Sequence, residues 1–148
     1  MGYTTFTGPV RAGNIIDTSG DIPGVNVSNV GQVVMAQRFA YVEDANVVTT
    51  ICLPAYSQIL SMTFYVDVPF TSGAVSIGDT TNVTQYTNAQ AFASQSFATL
   101  TPTTPAQFTN WFDVGYPDSQ IVIDGGTVGG LGAGVLVVQY FQGPNGNT

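Results

Sequence analysis

The chain has 148 residues and contains no histidine, no lysine and only two arginines, Arg11 and Arg38. Charged residues make up 7% of the sequence, with a formal net charge of −7, against about 25% charged in an average soluble domain. Without histidine or lysine, the usual general bases, Schiff-base nucleophiles and imidazole metal ligands are missing. Any catalysis would fall to the aspartates, the single Glu43 or Cys52, so no enzyme is expected. Two arginines cannot neutralise a track of phosphates, which excludes a nucleic acid as direct partner.

Cysteine is nearly absent too. A single thiol forms no internal disulfide, so packing and assembly must hold the fold, and the redox compartment stays open. Cys52 lies in the apolar run Val47-Val48-Thr49-Thr50-Ile51-Cys52-Leu53. With no cation beside it, it is expected to be a small buried hydrophobe rather than a reactive thiolate. Long hydrophobic runs are missing as well: no stretch approaches the length of a membrane span, and no membrane partner is expected. The opening Met1-Gly2-Tyr3-Thr4-Thr5-Phe6 has neither the basic and apolar regions of a targeting segment nor the hydroxyl residue of a myristoylation signal. The triplets at Asn26 and Asn82 that fit the glycosylation pattern are taken as ordinary loop or strand-edge residues.

What is present is apolar and polar-neutral. Hydrophobic residues make up 44% of the chain, with nine Phe and seven Tyr, enough to offset the entropy of ordering one globular domain. Residues 1–30 differ from the rest. Gly8-Pro9, Gly13-Asn14, Ser19-Gly20-Asp21 and Pro23-Gly24 interrupt every short apolar run. The recurrence of Tyr3, Phe6, Val10, Ile15, Ile16 and Ile22 suits an extended N-terminal arm that lies across its own domain or docks on a neighbouring subunit.

From residue 31 the pattern is that of strands, with turns at Glu43-Asp44-Ala45-Asn46, Thr71-Ser72-Gly73 and Gly78-Asp79-Thr80-Thr81-Asn82. Between Ile59 and Val68 the alternation places Leu60, Met62, Phe64, Val66 and Val68 on one face and Ile59, Ser61, Thr63, Tyr65 and Asp67 on the other. Residues 89–100 suit helix or strand by propensity and strand by context. Pro102 and Pro105 isolate a loop, after which 108–114 fits a strand or a single helical turn. Residues 120–123 and 134–141 are strands, and 143–148 form a polar tail. Seven or eight short strands without a long helix predict an all-β fold, an antiparallel β-sandwich or jelly-roll-like barrel over residues 31–142.

The motifs that invite a chemical reading have structural explanations. The run Gly125-Gly126-Thr127-Val128-Gly129-Gly130-Leu131-Gly132-Ala133-Gly134 is followed by a strand, whereas a phosphate loop opens a helix, and the chain has no lysine for one. It is expected to be a long hairpin connection whose backbone needs positive φ or close approach. Asp17-Thr18-Ser19-Gly20-Asp21 lacks the spacing of a calcium loop and suits a turn. Asp79, Asp113, Asp118 and Asp124 stand beside turn residues and imply no catalytic pair. No metal and no cofactor are expected. Trp111 and Phe112 are expected in the core. Tyr41, Tyr56 and Tyr65 lie on or beside strand faces that otherwise read polar, and are the candidates for an interface.

In order along the chain come Gly2-Tyr3-Thr4-Thr5-Phe6-Thr7-Gly8-Pro9-Val10, Gly31-Gln32-Val33-Val34-Met35-Ala36-Gln37, and Leu53-Pro54-Ala55-Tyr56-Ser57-Gln58-Ile59-Leu60. The strand to Val68, the Ser76-Ile77-Gly78-Asp79-Thr80-Thr81 turn and a glycine-rich loop before a Val-rich strand ending in Gln139-Tyr140 complete the layout. This layout resembles the head-decoration, or cement, proteins of tailed bacteriophages. The resemblance implies an all-β protein without enzyme activity or cofactor, placed on the outer capsid surface of a virion assembled in the host cytoplasm. It implies a homo-oligomer, trimer or dimer, that clamps neighbouring copies of the major capsid protein. The contacts with capsid or subunit would then come from Tyr3, Phe6, Val10, Ile15, Ile16, Tyr41, Tyr56 and Tyr65. A carbohydrate-binding or host-recognition module on the virion, using exposed Tyr or Trp111 with Asn, Gln and Asp, is the alternative. A polysaccharide-cleaving enzyme is a distant third.

Overall fold

The computed structural model describes residues 15–16, 28–29, 34–71, 74–92, 94–125 and 128–141. The chain forms two compact units, Met1–Val33 and Val34–Thr148. In the first, β1 (Ile15–Ile16) and β2 (Ser28–Asn29) pair antiparallel, with Ile15 opposite Asn29 and Ile16 opposite Ser28. Two short strands thus form between the Gly and Pro interruptions. Tyr3, Phe6, Val10 and Arg11 lie outside the described residues, as does the polar tail.

The second unit has eight strands: β3 (Val34–Val42), β4 (Val47–Leu53), β5 (Gln58–Val68), β6 (Ala74–Asp79), β7 (Thr87–Ala91), β8 (Ser96–Leu100), β9 (Ser119–Asp124) and β10 (Ala133–Phe141). One helix, α1 (Pro105–Phe112), lies between β8 and β9. The strands make two four-stranded antiparallel sheets, ordered β3-β10-β5-β8 and β4-β9-β6-β7. The pairs β3·β10, β4·β9, β5·β8 and β6·β7 are nested, the outermost strands of the sequence pairing with each other and the innermost likewise. A ribbon of nested antiparallel pairs wound into two facing sheets is a jelly roll, and the all-β sandwich expected from the sequence is the fold observed.

Period-two alternation supplies the core. Met62, Phe64 and Val66 of β5, Leu136, Val138 and Tyr140 of β10, and Ile51, Leu53, Val75, Ile77, Ile121 and Ile123 of the second sheet form one buried cluster. Each such side chain contributes about 1.5–3 kcal/mol of apolar transfer. In β4 the same alternation turns Thr49, Ile51 and Leu53 inward and leaves Val48, Thr50 and Cys52 exposed. The expectation of a buried thiol is therefore corrected: the neighbours of Cys52 are apolar, but its parity is that of the outer face.

Register shifts alter the face assignment in β5. Tyr140 pairs with Ile59 and Gln139 with Ser61, so Leu60 is an extra residue, and Ile59 turns inward while Leu60 is exposed. A second shift pairs Ala133 with Val68 and Gly134 with Val66, which leaves Asp67 and Val68 both exposed. The middle of the strand follows the simple alternation; its two ends do not.

One end of the sandwich is closed by Glu43, which is buried. Its Oε2 accepts from Thr71 N–H at 2.9 Å and Gly132 N–H at 3.0 Å, while Glu43 N–H donates to the Gly132 carbonyl at 2.7 Å. Beneath it Tyr41, Phe64, Phe70 and Phe92 form a cluster with ring centroids 4.9–5.9 Å apart. The glycine-rich segment passes through this end, and it is not a hairpin: β9 pairs with β4 and β6, β10 with β3 and β5, so the segment crosses between sheets. Close approach explains Gly132, where a Cβ would fall on the Phe70 ring and within 2.8 Å of Glu43 Oε2.

Candidate interaction surfaces

The opposite end is closed by α1. Thr104 is its N-cap, with Pro105 at the first helical position, and Gln107 closes a capping box by accepting from Thr104 N–H at 3.2 Å. Pro105, expected to delimit a loop, instead starts a helix, because its missing N–H and fixed φ suit that position. The helix is held by its polar side. Gln107 Nε2 donates to the Thr84 carbonyl, Asn110 Nδ2 to that of Gln85 and Trp111 Nε1 to that of Tyr86, at 2.9, 3.1 and 2.9 Å.

This anchoring decides what the helix shows to solvent. Phe108 and Phe112, four residues apart and so on one face, are 62% and 73% exposed. Trp111 packs against the core as expected, but Phe112 does not, because the next helical position is rotated by about 100° away from it. Polar groups inward and phenylalanines outward invert the usual amphipathic arrangement. The helix thus leaves two large aromatic rings exposed side by side, a candidate docking surface.

At the same end, Tyr56 N–H donates to the Gly115 carbonyl at 2.9 Å and Ala55 N–H to Asp118 Oδ1 at 2.8 Å. The exposed rings of Tyr56 and Tyr116 stand 6.4 Å apart, 26° from parallel. Tyr56 has φ +61°, a left-handed conformation that a bulky residue adopts only where the surroundings enforce it.

A second surface is the outer face of the β3-β10-β5-β8 sheet. The register aligns Ala40, Val135, Tyr65 and Phe97 in one row across the four strands. Arg38, Val137, Thr63 and Thr99 form the next row, and Val42, Ala133 and Val68 flank the first on its other side. Tyr65 and Phe97, 51% and 71% exposed, approach to a ring separation of 6.3 Å. Arg38 and the bulge residue Asp67 are the charged groups of this face.

The interface tyrosines therefore part company. Tyr65 belongs to the sheet face and Tyr56 to the helical end, whereas Tyr41 is in the core, 1% exposed. Tyr41 is lost to the interface because its hydroxyl is satisfied inside: its one proton faces the carbonyls of Asp44 and Gly125, 2.6 and 2.9 Å away, and its oxygen accepts from Asp44 N–H at 3.1 Å. Ile15 and Ile16 form β1. Phe97, Phe108, Phe112 and Tyr116 were missed. Their signal, an aromatic at a position of outward parity, appears only once strand register and helix phase are fixed.

Ionisation adds little reactive chemistry. Burial pushes the Tyr86 phenol up to about 12, partly offset by its 2.7 Å hydrogen bond to Ser119 Oγ. Burial likewise raises Tyr41, and partial burial, with the charge of Asp118, raises the Cys52 thiol. No group of three or more His, Cys, Asp or Glu suited to a metal ion occurs among the described residues. No helix among them is long and apolar enough to cross a membrane.

Neither a protein-family model nor a curated protein matches the sequence. Solved structures do match. A chain of the cyanophage Pam1 capsid asymmetric unit aligns with a TM-score of 0.53 and 20% identity, over 91% of this chain and 100% of that one. A chain of the capsid of Ralstonia phage GP4 aligns at 0.56 and 14%, over 80% and 90% of the two chains. A chain of the acidic stable capsid structure of Helicobacter pylori bacteriophage KHP30 aligns at 0.51 and 17%, over 76% and 90%. What is shared is the fold. At these identities no side chain carries over, so the chemistry rests on this chain's own residues.

Proposed function

We propose that this chain is a virion structural protein, a decoration or cement protein. In this reading it binds the outer surface of a bacteriophage head and stabilises it by clamping neighbouring major-capsid subunits. The observation that carries the reading is a jelly roll shared over most of its length with chains of three phage capsids. The surfaces agree with it. A clamp adds contact area without chemistry, and neutral polar and apolar groups make that contact at the least desolvation cost. Phe108, Phe112 and Tyr116 are the contacts offered to the shell at the helical end. The outer sheet face serves self-association as a homo-oligomer. Residues 1–30 act as an arm that reaches a neighbour, and the protein needs no cofactor.

Imaging the particle with this protein located on it, together with co-sedimentation of the purified protein with heads, tests the reading. Stoichiometric recovery on the outside of heads is expected, and recovery with tails alone overturns it. Removing residues 1–30 is expected to weaken head binding. The exposed Tyr56 and Tyr116 rings favour a second reading, a carbohydrate-binding or host-recognition module, although Trp111 is committed to packing. Glycan-array binding by a protein that fails to bind heads would select it.

A further inference from the structure

We infer that the outer face of the β3-β10-β5-β8 sheet binds a second copy of this chain, with Arg38 of each copy against Asp67 of the other. The inference rests on the homo-oligomer part of the proposed function and names the surface and the residues that form it.

Charge is the first argument. At a net charge of −7 two copies repel, so a self-contact must use a face with few carboxylates. Among the described residues this face carries one acid, Asp67, and one base, Arg38. No described carboxylate forms an ion pair with Arg38; its row neighbours are Val137, Thr63 and Thr99. One of the two arginines of an acidic chain, set in an otherwise neutral face that also bears one acid, is complementary to a second copy of that same face.

Geometry is the second. Arg38 is on β3 and Asp67 on β5, with β10 between them, a lateral separation of about 10 Å. Along the strands, Arg38 shares its row with Thr63, and Asp67 is four residues further on. The line joining them crosses β10 near Val135. A twofold axis lying in the interface at Val135 sets that residue against its own copy and brings both Arg38–Asp67 pairs together, as an isologous contact requires. Tyr65 and Phe97 supply the exposed aromatic area beside the axis.

Area is the third. β3 and β10 have nine residues each, β5 eleven and β8 five, so at about 3.3 Å along and 4.8 Å between strands two such faces cover about 1,100 Å², close to the roughly 1,000 Å² that a specific interface must clear.

Sedimentation velocity on the full chain over about 1–100 μM tests this. A dimer, or a larger oligomer containing it, is expected. R38D and D67R each weaken association by about tenfold or more, and R38D/D67R restores it. Both positions are exposed, and unfolding midpoints check that the variants fold. Tyr65→Asp, central and also exposed, gives the same loss by a different route. A monomer throughout the range, single variants that associate like the wild type, or a folded double variant that fails to regain association overturns the inference. Head binding is measured separately. A monomer that still decorates heads removes the self-contact alone, and a dimer that ignores heads removes the head-binding reading alone.

Discussion

Gln37 and Cys52 stand on the edge strands of opposite sheets, and the carboxamide of Gln37 serves both backbone groups of Cys52. Its Nε2 donates to the Cys52 carbonyl at 2.7 Å, and its Oε1 accepts from Cys52 N–H at 3.1 Å. The same Nε2 reaches the Tyr140 hydroxyl oxygen at 2.7 Å. One side chain thereby pairs part of an edge that would otherwise be a template for another strand. Gln37→Leu is expected to lower stability by about 1–2 kcal/mol, read from the urea midpoint. Gln37→Glu is expected to lower it as well, because a carboxylate cannot donate to the Cys52 carbonyl. An unchanged midpoint in both variants would show that the amide is incidental.

Glu43 ties three connections together. It follows β3, and its carboxylate holds Thr71 N–H from the β5–β6 connection and Gly132 N–H from the β9–β10 connection. Truncation leaves the buried Gly132 N–H and the part-buried Thr71 N–H without their charged acceptor. Glu43→Ala is expected to cost about 3 kcal/mol, and Glu43→Gln less, since an amide oxygen still accepts from both. Equal losses in the two variants would mean that packing, not hydrogen bonding, sets the role of this side chain.

Tyr86 sets a limit at high pH. In the unfolded chain its phenol ionises near pH 10, and in the native state near 12. Between these values the native state holds more protons than the unfolded state, so unfolding becomes easier as pH rises. The associated loss is on the order of 2–3 kcal/mol and is complete near pH 12. Tyr41, raised by burial in the same direction, adds to it. Urea midpoints between about pH 9 and pH 11 are expected to fall, and Tyr86→Phe to fall less steeply over that range. Parallel slopes for the two proteins would remove Tyr86 from the account.

The limits of sequence reading follow from the same residues. Met62, Phe64 and Val66 were legible because alternation within one strand needs only local information. Ile59 and Leu60 were assigned to the wrong faces because a bulge is set by the partner strand, and only the register with Gln139 and Tyr140 reveals it. The burial of Tyr41 is hidden from the sequence because one partner of its hydroxyl, the Gly125 carbonyl, lies 84 positions away. Cys52 is the opposite case: its parity along β4 is a local signal of the outer face, and its apolar neighbours point the other way. The box formed by Thr104 and Gln107 is a local helix-start signal, but it overlaps Pro102 and Pro105, which suit a loop equally well. The assignment of β9 and β10 to different sheets depends on pairings that no local pattern encodes.

The phenylalanines of α1 separate stability from binding. Gln107, Asn110 and Trp111 hold the helix from its inner side, so Phe108 and Phe112 are not needed to keep it in place. Serine has about the helix propensity of phenylalanine. F108S/F112S is therefore expected to unfold within about 0.5 kcal/mol of the wild type, as exposed substitutions do. If these rings are the contact with the head, the same variant loses about 2–3 kcal/mol of binding, roughly a hundredfold in affinity, as when aromatic anchors are removed from an interface. Binding isotherms on purified heads supply the measurement. Repeating them at about 50 and 500 mM salt is expected to shift the wild-type curve little, because a contact made by rings has few screened charges to lose. Undiminished head binding by F108S/F112S would transfer the contact to another surface, and a steep loss in salt would hand it to Arg38 and the carboxylates.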